Sequence, residues 1–340
     1  MAKAMMQKNM LWLQSGGCGG CTLSLMCAES PDLLTALELA NIRLVSHPSL
    51  NQASGTETIK ILQDVLDGKL RIDIFCVEGS ILFGPNGTGR FHMASGFDNK
   101  SMKTLIAEIS QVSEYVVAVG SCAAFGGITA GGANEVEARG MAFDDDIAGG
   151  LLGKKFLSRA GLPVINISGC PIHPDWVMET LYQIAADSLT PADLDHLGRP
   201  RFISNKLVHH GCSRNEYYEF KASAEKLCDL GCMMENLGCK GTQAAGDCNI
   251  RPWNGSGSCI SGGYPCIACT EPGFEEPGHS FVETPKIAGI PVGLPTDMPK
   301  AWFVALASLA KAATPKRLSV NATSDKIAIA PISKKHKGKS

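Results

Sequence analysis

Fourteen cysteines run through this chain of 340 residues in a pattern that leaves few folds open. Six stand apart in the first half, at Cys18, Cys21, Cys27, Cys76, Cys122 and Cys170, and eight crowd between Cys212 and Cys269. A chain this long can bury a core without disulfide staples, so thiols in this number point to metal ligation. The crowded segment is rich in Gly and Pro and poor in long apolar runs. Burial alone would leave it marginal, and bound metal supplies the missing organisation.

The first half alternates strand-like runs with helical periodicity. Candidate strands are Met10–Gln14, Ile42–Ser46, Ile72–Val77, Tyr115–Val119 and Pro163–Ser168; candidate helices are Thr22–Ala40, Ser54–Asp67, Ser101–Gln111 and a closing helix Pro174–Ala186, with an insertion at Asp146–Ala160. This βαβ alternation predicts an α/β fold, a doubly wound open parallel sheet whose ligands sit outside the carboxyl ends of the strands. Composition shifts near residues 190–200 predict a first domain over 1–190, an irregular second domain over 191–315 and an irregular tail over 316–340.

Lys plus Arg (31) nearly balance Asp plus Glu (33), which excludes the basic footprint of a nucleic-acid binder. The one strongly basic run, Lys334 to Lys339, reads as solvated chain end. The first ten residues show no apolar signal core and no twin arginine. The apolar segment Ala301–Ala313 is shorter than the ~20 residues that span a bilayer. The expectation is a cytoplasmic chain with no membrane span.

The thiols fall into three sets. Cys18-Gly19-Gly20-Cys21 follows the first strand and precedes a helix, where a redox dithiol is one reading. Cys122 and Cys170 follow two other strands, and strand ends of an open sheet converge on one crevice, so these four thiolates suit a 4Fe-4S cluster or a structural zinc. Glycines at 16, 17, 120, 126 and 127 let backbone approach whatever is bound. The second set is His209, Cys212, Cys228, Cys232 and Cys239, from which a Cys3His zinc site is also readable. The third is Cys248, Cys259, Cys266 and Cys269. Three such sets exceed what structural zinc needs, and they suit an electron relay.

The runs Leu13-Gln14-Ser15-Gly16-Gly17-Cys18-Gly19-Gly20-Cys21, Val77-Glu78-Gly79-Ser80, Gly120-Ser121-Cys122-Ala123-Ala124-Phe125-Gly126-Gly127, Ile167-Ser168-Gly169-Cys170-Pro171, Leu237-Gly238-Cys239-Lys240-Gly241 and Pro265-Cys266-Ile267-Ala268-Cys269 resemble, in order, those of the small, electron-transferring subunit of a NiFe hydrogenase. The resemblance implies a flavodoxin-like first domain and an irregular iron–sulfur-binding second one. It assigns Cys18, Cys21, Cys122 and Cys170 to a proximal cluster; His209, Cys212, Cys232 and Cys239 to a distal one; and Cys248, Cys266 and Cys269 to a medial one. Many relatives hold a 3Fe-4S cluster at the medial site, with proline where this chain has Cys259. The fourth thiolate here predicts three 4Fe-4S clusters, with 3Fe-4S at the medial site if Cys259 stays unligated. Cys228 competes with Cys232 as distal ligand, and Cys232 lies nearer the matching Leu237-Gly238-Cys239. Oxygen-tolerant relatives carry two extra proximal cysteines, where this chain has Gly19 and Gly127. Cys27 and Cys76 read as small buried apolar residues. Glu78 reads either as a hydrogen-bonding group of the proximal site or as a helix-end acceptor.

The implied reaction is H2 ⇌ 2H+ + 2e−, with the nickel–iron centre in a partner large subunit, no catalytic residue in this chain, and electrons passing through its clusters. Thr22-Leu23-Ser24-Leu25 after the intact cysteine pair resembles the cytoplasmic H2-sensing type, which signals to a histidine kinase. The alternative is an energy-conserving uptake enzyme feeding a quinone or electron carrier. Pairing of heterodimers into a larger assembly is a further expectation. The cluster-bearing subunit of a complex I-like quinone oxidoreductase shares the first domain but lacks the second. A zinc-stapled interaction module is the non-enzymatic alternative.

Overall fold

The computed structural model describes residues 6–276, 278–287, 290–294 and 299–326. They form two units, one running to Asn205 and taking back a short segment from Cys269, the other beginning at Lys206 and resuming at Gly278. The basic run Lys334 to Lys339 lies outside the described residues.

The first unit is built on five parallel strands: β1 (Lys8–Gln14), β2 (Ile42–Ser46), β3 (Ile74–Glu78), β4 (Tyr115–Val119) and β5 (Ile165–Ile167). Their order is β2-β1-β3-β4-β5, every pair parallel. This is the flavodoxin-like order, in which the switch of direction between β1 and β3 opens a crevice at the carboxyl edge. All five residues of β3 and of β4 are buried, as strands covered on both faces require.

Helices α1 (Gly20–Met26), α2 (Leu33–Leu39) and α6 (Pro174–Ala185) pack together, and α3 (Gly55–Leu66) packs with α4 (Met102–Val112). Leu62, Val65, Leu105, Ile106 and Ile109 from α3 and α4 join Leu11, Leu13, Phe75, Val77, Val116 and Ala118 of the strands in the main core. Local chemistry sets the helix starts. Ser54 and Glu57 form a reciprocal capping box on α3, Ser101 accepts from the Thr104 amide at α4, and Pro174 occupies the first turn of α6.

The sequence suggests one helix over Thr22–Ala40, but the structure has two. Pro31 disfavours helical backbone at the residue before it, and Asp32 caps a fresh start by accepting from the Thr35 amide at 3.1 Å. The region read as an insertion at Asp146–Ala160 opens inside an antiparallel pair, Phe143–Asp144 with Ile147–Ala148. A short five-residue helix, α5 (Ser121–Phe125), follows β4 directly.

The second unit has little regular structure: short helices α7 (Asn215–Glu219) and α8 (Met234–Leu237), an antiparallel pair β6 (Lys286–Ile287) and β7 (Ile290–Pro291), and helices α9 (Lys300–Ala312) and α10 (Lys316–Ala322). Val208, Ala224, Met233, Leu237, Ala244 and Ile260 make a small core against which Cys212, Cys239 and Cys248 pack. Helix α10 stands where the sequence suggests the start of an irregular tail. Its Leu318 and Ala322 are buried with Tyr217 and Ala222, and Cys232 packs on that cluster. Among the described residues no helix is long and apolar enough to cross a membrane.

Candidate iron–sulfur sites

At the carboxyl edge of the sheet, Cys18 and Cys21 follow β1, Cys122 sits in α5 just after β4, and Cys170 lies three residues beyond β5. Serine hydroxyls stitch these loops together. Ser121 donates to the Cys269 carbonyl and accepts from the Gly169 amide at 2.9 Å. Ser168 donates to the Thr270 carbonyl at 2.8 Å, and Ser24 of α1 donates to the Ile172 carbonyl at 2.7 Å. The returning segment is fixed by buried Arg199, whose guanidinium pairs with Asp195 and Glu271, each at 2.8 Å, and donates to the Thr270 carbonyl. The loops bearing Cys122 and Cys170 are thus held in one hydrogen-bonded frame.

Three of these thiols are raised by burial and by neighbours in the set. Burial pushes the Cys21 thiol up, and Glu78, Cys122 and Cys170 add to the effect. Burial likewise raises Cys170 to about 12, helped by Cys122, Cys269 and Cys18, and it raises Cys122, which also feels Cys18. As free thiols Cys21, Cys122 and Cys170 stay protonated at neutral pH, so their thiolates need a positive partner such as iron.

Two glycines make room. A Cβ on Gly120 would stand 2.5 Å from Cys21 Sγ, and one on Gly127 would stand 2.9 Å from the Cα, N and Sγ of Cys122, both at positive φ. At Gly19, also at positive φ, a Cβ would meet nothing within 4 Å.

Buried Glu78, at the end of β3, accepts from the Thr22 amide at 3.0 Å, from the Thr22 hydroxyl, from Gln14 Nε2 at 3.2 Å and from Trp12 Nε1 at 3.3 Å. It satisfies an otherwise open donor in the first turn of α1 while placing negative charge beside Cys21. The helix-end reading of this residue therefore holds, and its effect on the cysteine set is one of charge on Cys21 rather than a hydrogen bond.

In the second unit, His209, Cys212, Cys232 and Cys239 line a single small cavity of about 30 Å³. The Cys232 thiol, pushed up to about 12 by burial, feels both Cys239 and Cys212. Cys228 is exposed and is not among the cavity's lining; it packs beside Gly263, whose carbonyl accepts its amide at 3.1 Å. Arg214, which the sequence does not single out, also lines the cavity. Its amide donates to Cys212 Sγ at 3.4 Å, and its guanidinium donates to the carbonyls of Asp229 and Gly231. The only advance signal is an arginine two residues after a ligand candidate.

Burial raises the Cys248 thiol to about 12, and the first charge it feels is Cys259. Cys266 is buried and its amide donates to Cys239 Sγ at 3.3 Å, so the second and third sets adjoin. Cys269 begins the segment counted with the first unit. Cys76 is fully buried in β3, as a small apolar residue would be. Cys27 is exposed, contrary to the expectation of burial, because α1 ends at Met26 and leaves it as the cap residue.

Among the described residues, no three His, Cys, Asp or Glu side chains draw close enough to hold one metal ion. The donor sets, all thiol apart from one imidazole, and the glycine clearance around them fit iron–sulfur clusters.

Residues 18–184 match the family of the NADH ubiquinone oxidoreductase 20 Kd subunit. Residues 205–282 match the C-terminal family of the NiFe/NiFeSe hydrogenase small subunit. An F420 non-reducing hydrogenase II small subunit of Methanosarcina mazei is 36% identical over 292 residues, 79% of this chain and 74% of that one. The chain belongs to the NiFe hydrogenase small subunits. A periplasmic NiFeSe hydrogenase small subunit of Desulfomicrobium baculatum is 32% identical across 80% of this chain and 85% of that one. Among solved structures, the actinobacterial-type NiFe-hydrogenase of Ralstonia eutropha H16 matches with TM-score 0.75 and 27% identity, covering 93% of this chain and 94% of that chain. The NiFeSe hydrogenase of Desulfomicrobium baculatum matches with TM-score 0.69 and 29% identity, covering 81% and 100%. As a NiFe hydrogenase small subunit, the chain pairs with a large subunit that holds the NiFe centre, transfers electrons, and carries three iron–sulfur clusters. The second unit separates it from the quinone oxidoreductase subunits that share the first.

Proposed function

We propose that Cys18, Cys21, Cys122 and Cys170 hold the proximal cluster, His209, Cys212, Cys232 and Cys239 the distal one, and Cys248, Cys259, Cys266 and Cys269 the medial one, each 4Fe-4S. The observation that carries this reading is the lining of one cavity by His209, Cys212, Cys232 and Cys239, four donors spread over thirty-one positions of sequence. When bound, the clusters accept and release single electrons. The chain's own residues set the conditions for that. Ser121 and Arg199 fix the loops, Glu78 places negative charge beside Cys21, and Arg214 places positive charge beside Cys212 and Cys239. His209 contributes a neutral imidazole in place of a fourth thiolate, which raises a cluster's potential and suits an exit point. The test is anaerobic purification with the large subunit, followed by EPR before and after H2. Cys232→Ser should remove or alter the distal signal and Cys228→Ser should leave it, and the opposite result would reassign the ligand.

Within the family we propose the cytoplasmic H2-sensing role, in which the redox state of the heterodimer, or of a pair of heterodimers, is passed to a histidine kinase. Its support is the run Cys18-Gly19-Gly20-Cys21-Thr22-Leu23-Ser24-Leu25. Co-purification of a kinase supports this role; H2-dependent reduction of a membrane quinone pool by cell extracts, with no kinase bound, assigns the uptake role instead.

A further inference from the structure

The second unit has a larger cavity beside the second cysteine set, of about 210 Å³. Cys232 is part of its wall, together with Tyr218, Lys221, Phe303 and Lys311. Three lysines face it against a single carboxylate, Glu235. Lys286 is already spent on Glu235 and Glu283, at 3.0 and 3.1 Å. Lys221 and Lys311 have no ion-pair partner among the described residues. The Lys221 ammonium is half-buried over the rings of Tyr218 and Phe303, 4.1 and 4.3 Å from their centroids. Ala307, Pro291 and Met234 complete apolar walls.

Two ammonium groups with no ion pair among the described residues, at a partly apolar, aromatic-edged cavity where Glu235 is the one carboxylate, fit a ligand with a flat conjugated body and acidic groups. A cluster ligand in the wall makes the ligand's purpose electronic. We propose that this cavity binds a small anionic, conjugated electron carrier, held by Lys221 and Lys311 against Cys232. The inference rests on the assignment of Cys232 to the distal cluster. Reduction of the carrier consumes two electrons and two protons; H2 oxidation in the large subunit supplies the electrons, and solvent supplies the protons.

The experiment uses the holoenzyme, this chain with its large subunit, and the probe anthraquinone-2,6-disulfonate. Binding is measured by equilibrium dialysis under argon, and H2-driven reduction is measured alongside. Lys221→Gln and Lys311→Gln, made singly and together, should weaken binding, the pair by about tenfold or more, and should flatten its salt dependence. KM for this dianion should rise while KM for the cationic dye benzyl viologen falls, because the same charge repels one and attracts the other. Iron content and EPR of each variant report whether it has folded, and the more exposed Lys311→Gln stands as a separate test if Lys221→Gln loses clusters. Unchanged dianion binding in variants with full clusters would overturn the proposal, as would equal shifts for both dyes. A distal EPR signal that survives Cys232→Ser would overturn the underlying assignment instead, whatever the dyes show.

Discussion

Glu78 and Arg214 place opposite charges beside two different cysteine sets, one in each unit. Glu78→Gln removes a negative charge near Cys21 and turns an amide group toward donors that need an acceptor. The expected outcome is a proximal cluster with a higher midpoint potential, read by EPR redox titration, and a loss of about 1–3 kcal/mol in stability. Arg214→Gln should do the reverse at the distal cluster, lowering its potential as positive charge near Cys212 and Cys239 disappears. It also leaves the Asp229 and Gly231 carbonyls without their buried donor, which costs a further ~1–3 kcal/mol. Sequence alone shows these residues poorly. Glu78 is visible as a carboxylate at a strand end, but its partners Trp12, Gln14 and Thr22 come from β1 and the turn after it. Arg214 and Ser121 act through long-range hydrogen bonds to carbonyls, which leave no trace in spacing.

At the scale of elements, the sheet is legible because buried parallel strands write themselves as unbroken apolar runs, such as Tyr115-Val116-Val117-Ala118-Val119. Helix ends are readable where a cap residue stands in the open, as at Ser54 and Ser101, and misleading where Pro31 and Asp32 split one apparent helix into two. Helix α10 escapes notice because only two apolar residues of its seven, Leu318 and Ala322, join a core, and the third buried one, Asn321, is polar. The segment from Cys269 shows what holds an element with no regular structure. Arg199→Ala would leave Asp195 and Glu271 without their cation, and the expected loss is about 3–5 kcal/mol, measured by denaturant unfolding of the holoenzyme. Arg199→Lys should recover only part of it, since one ammonium cannot reproduce the guanidinium's bonds to Asp195, Glu271 and the Thr270 carbonyl.

For the molecule as a whole, the two units draw their stability from different sources. The first has a layered apolar core around five strands; the second packs its small core against the thiols themselves. Removing iron with a chelator under reducing conditions should therefore strip hydrogen-exchange protection from residues 206–268 while the strands keep theirs. Simultaneous loss in both units would show that the sheet also depends on its cluster. The same contrast explains how much of the fold is legible: periodicity betrays burial, and the second unit is organised by ligation, for which the cysteine spacing is the only visible sign.

Gly19 and Gly127 differ in what they would let a side chain do. A cysteine could be accepted at position 19 at the expense of a strained left-handed backbone alone, since nothing stands near its Cβ. At position 127 the new side chain would collide with the backbone of Cys122, so the turn from Gly126 would first have to move. Of the two positions where oxygen-tolerant relatives are expected to carry extra cysteines, only 19 would therefore take the side chain with the surrounding loops as they stand.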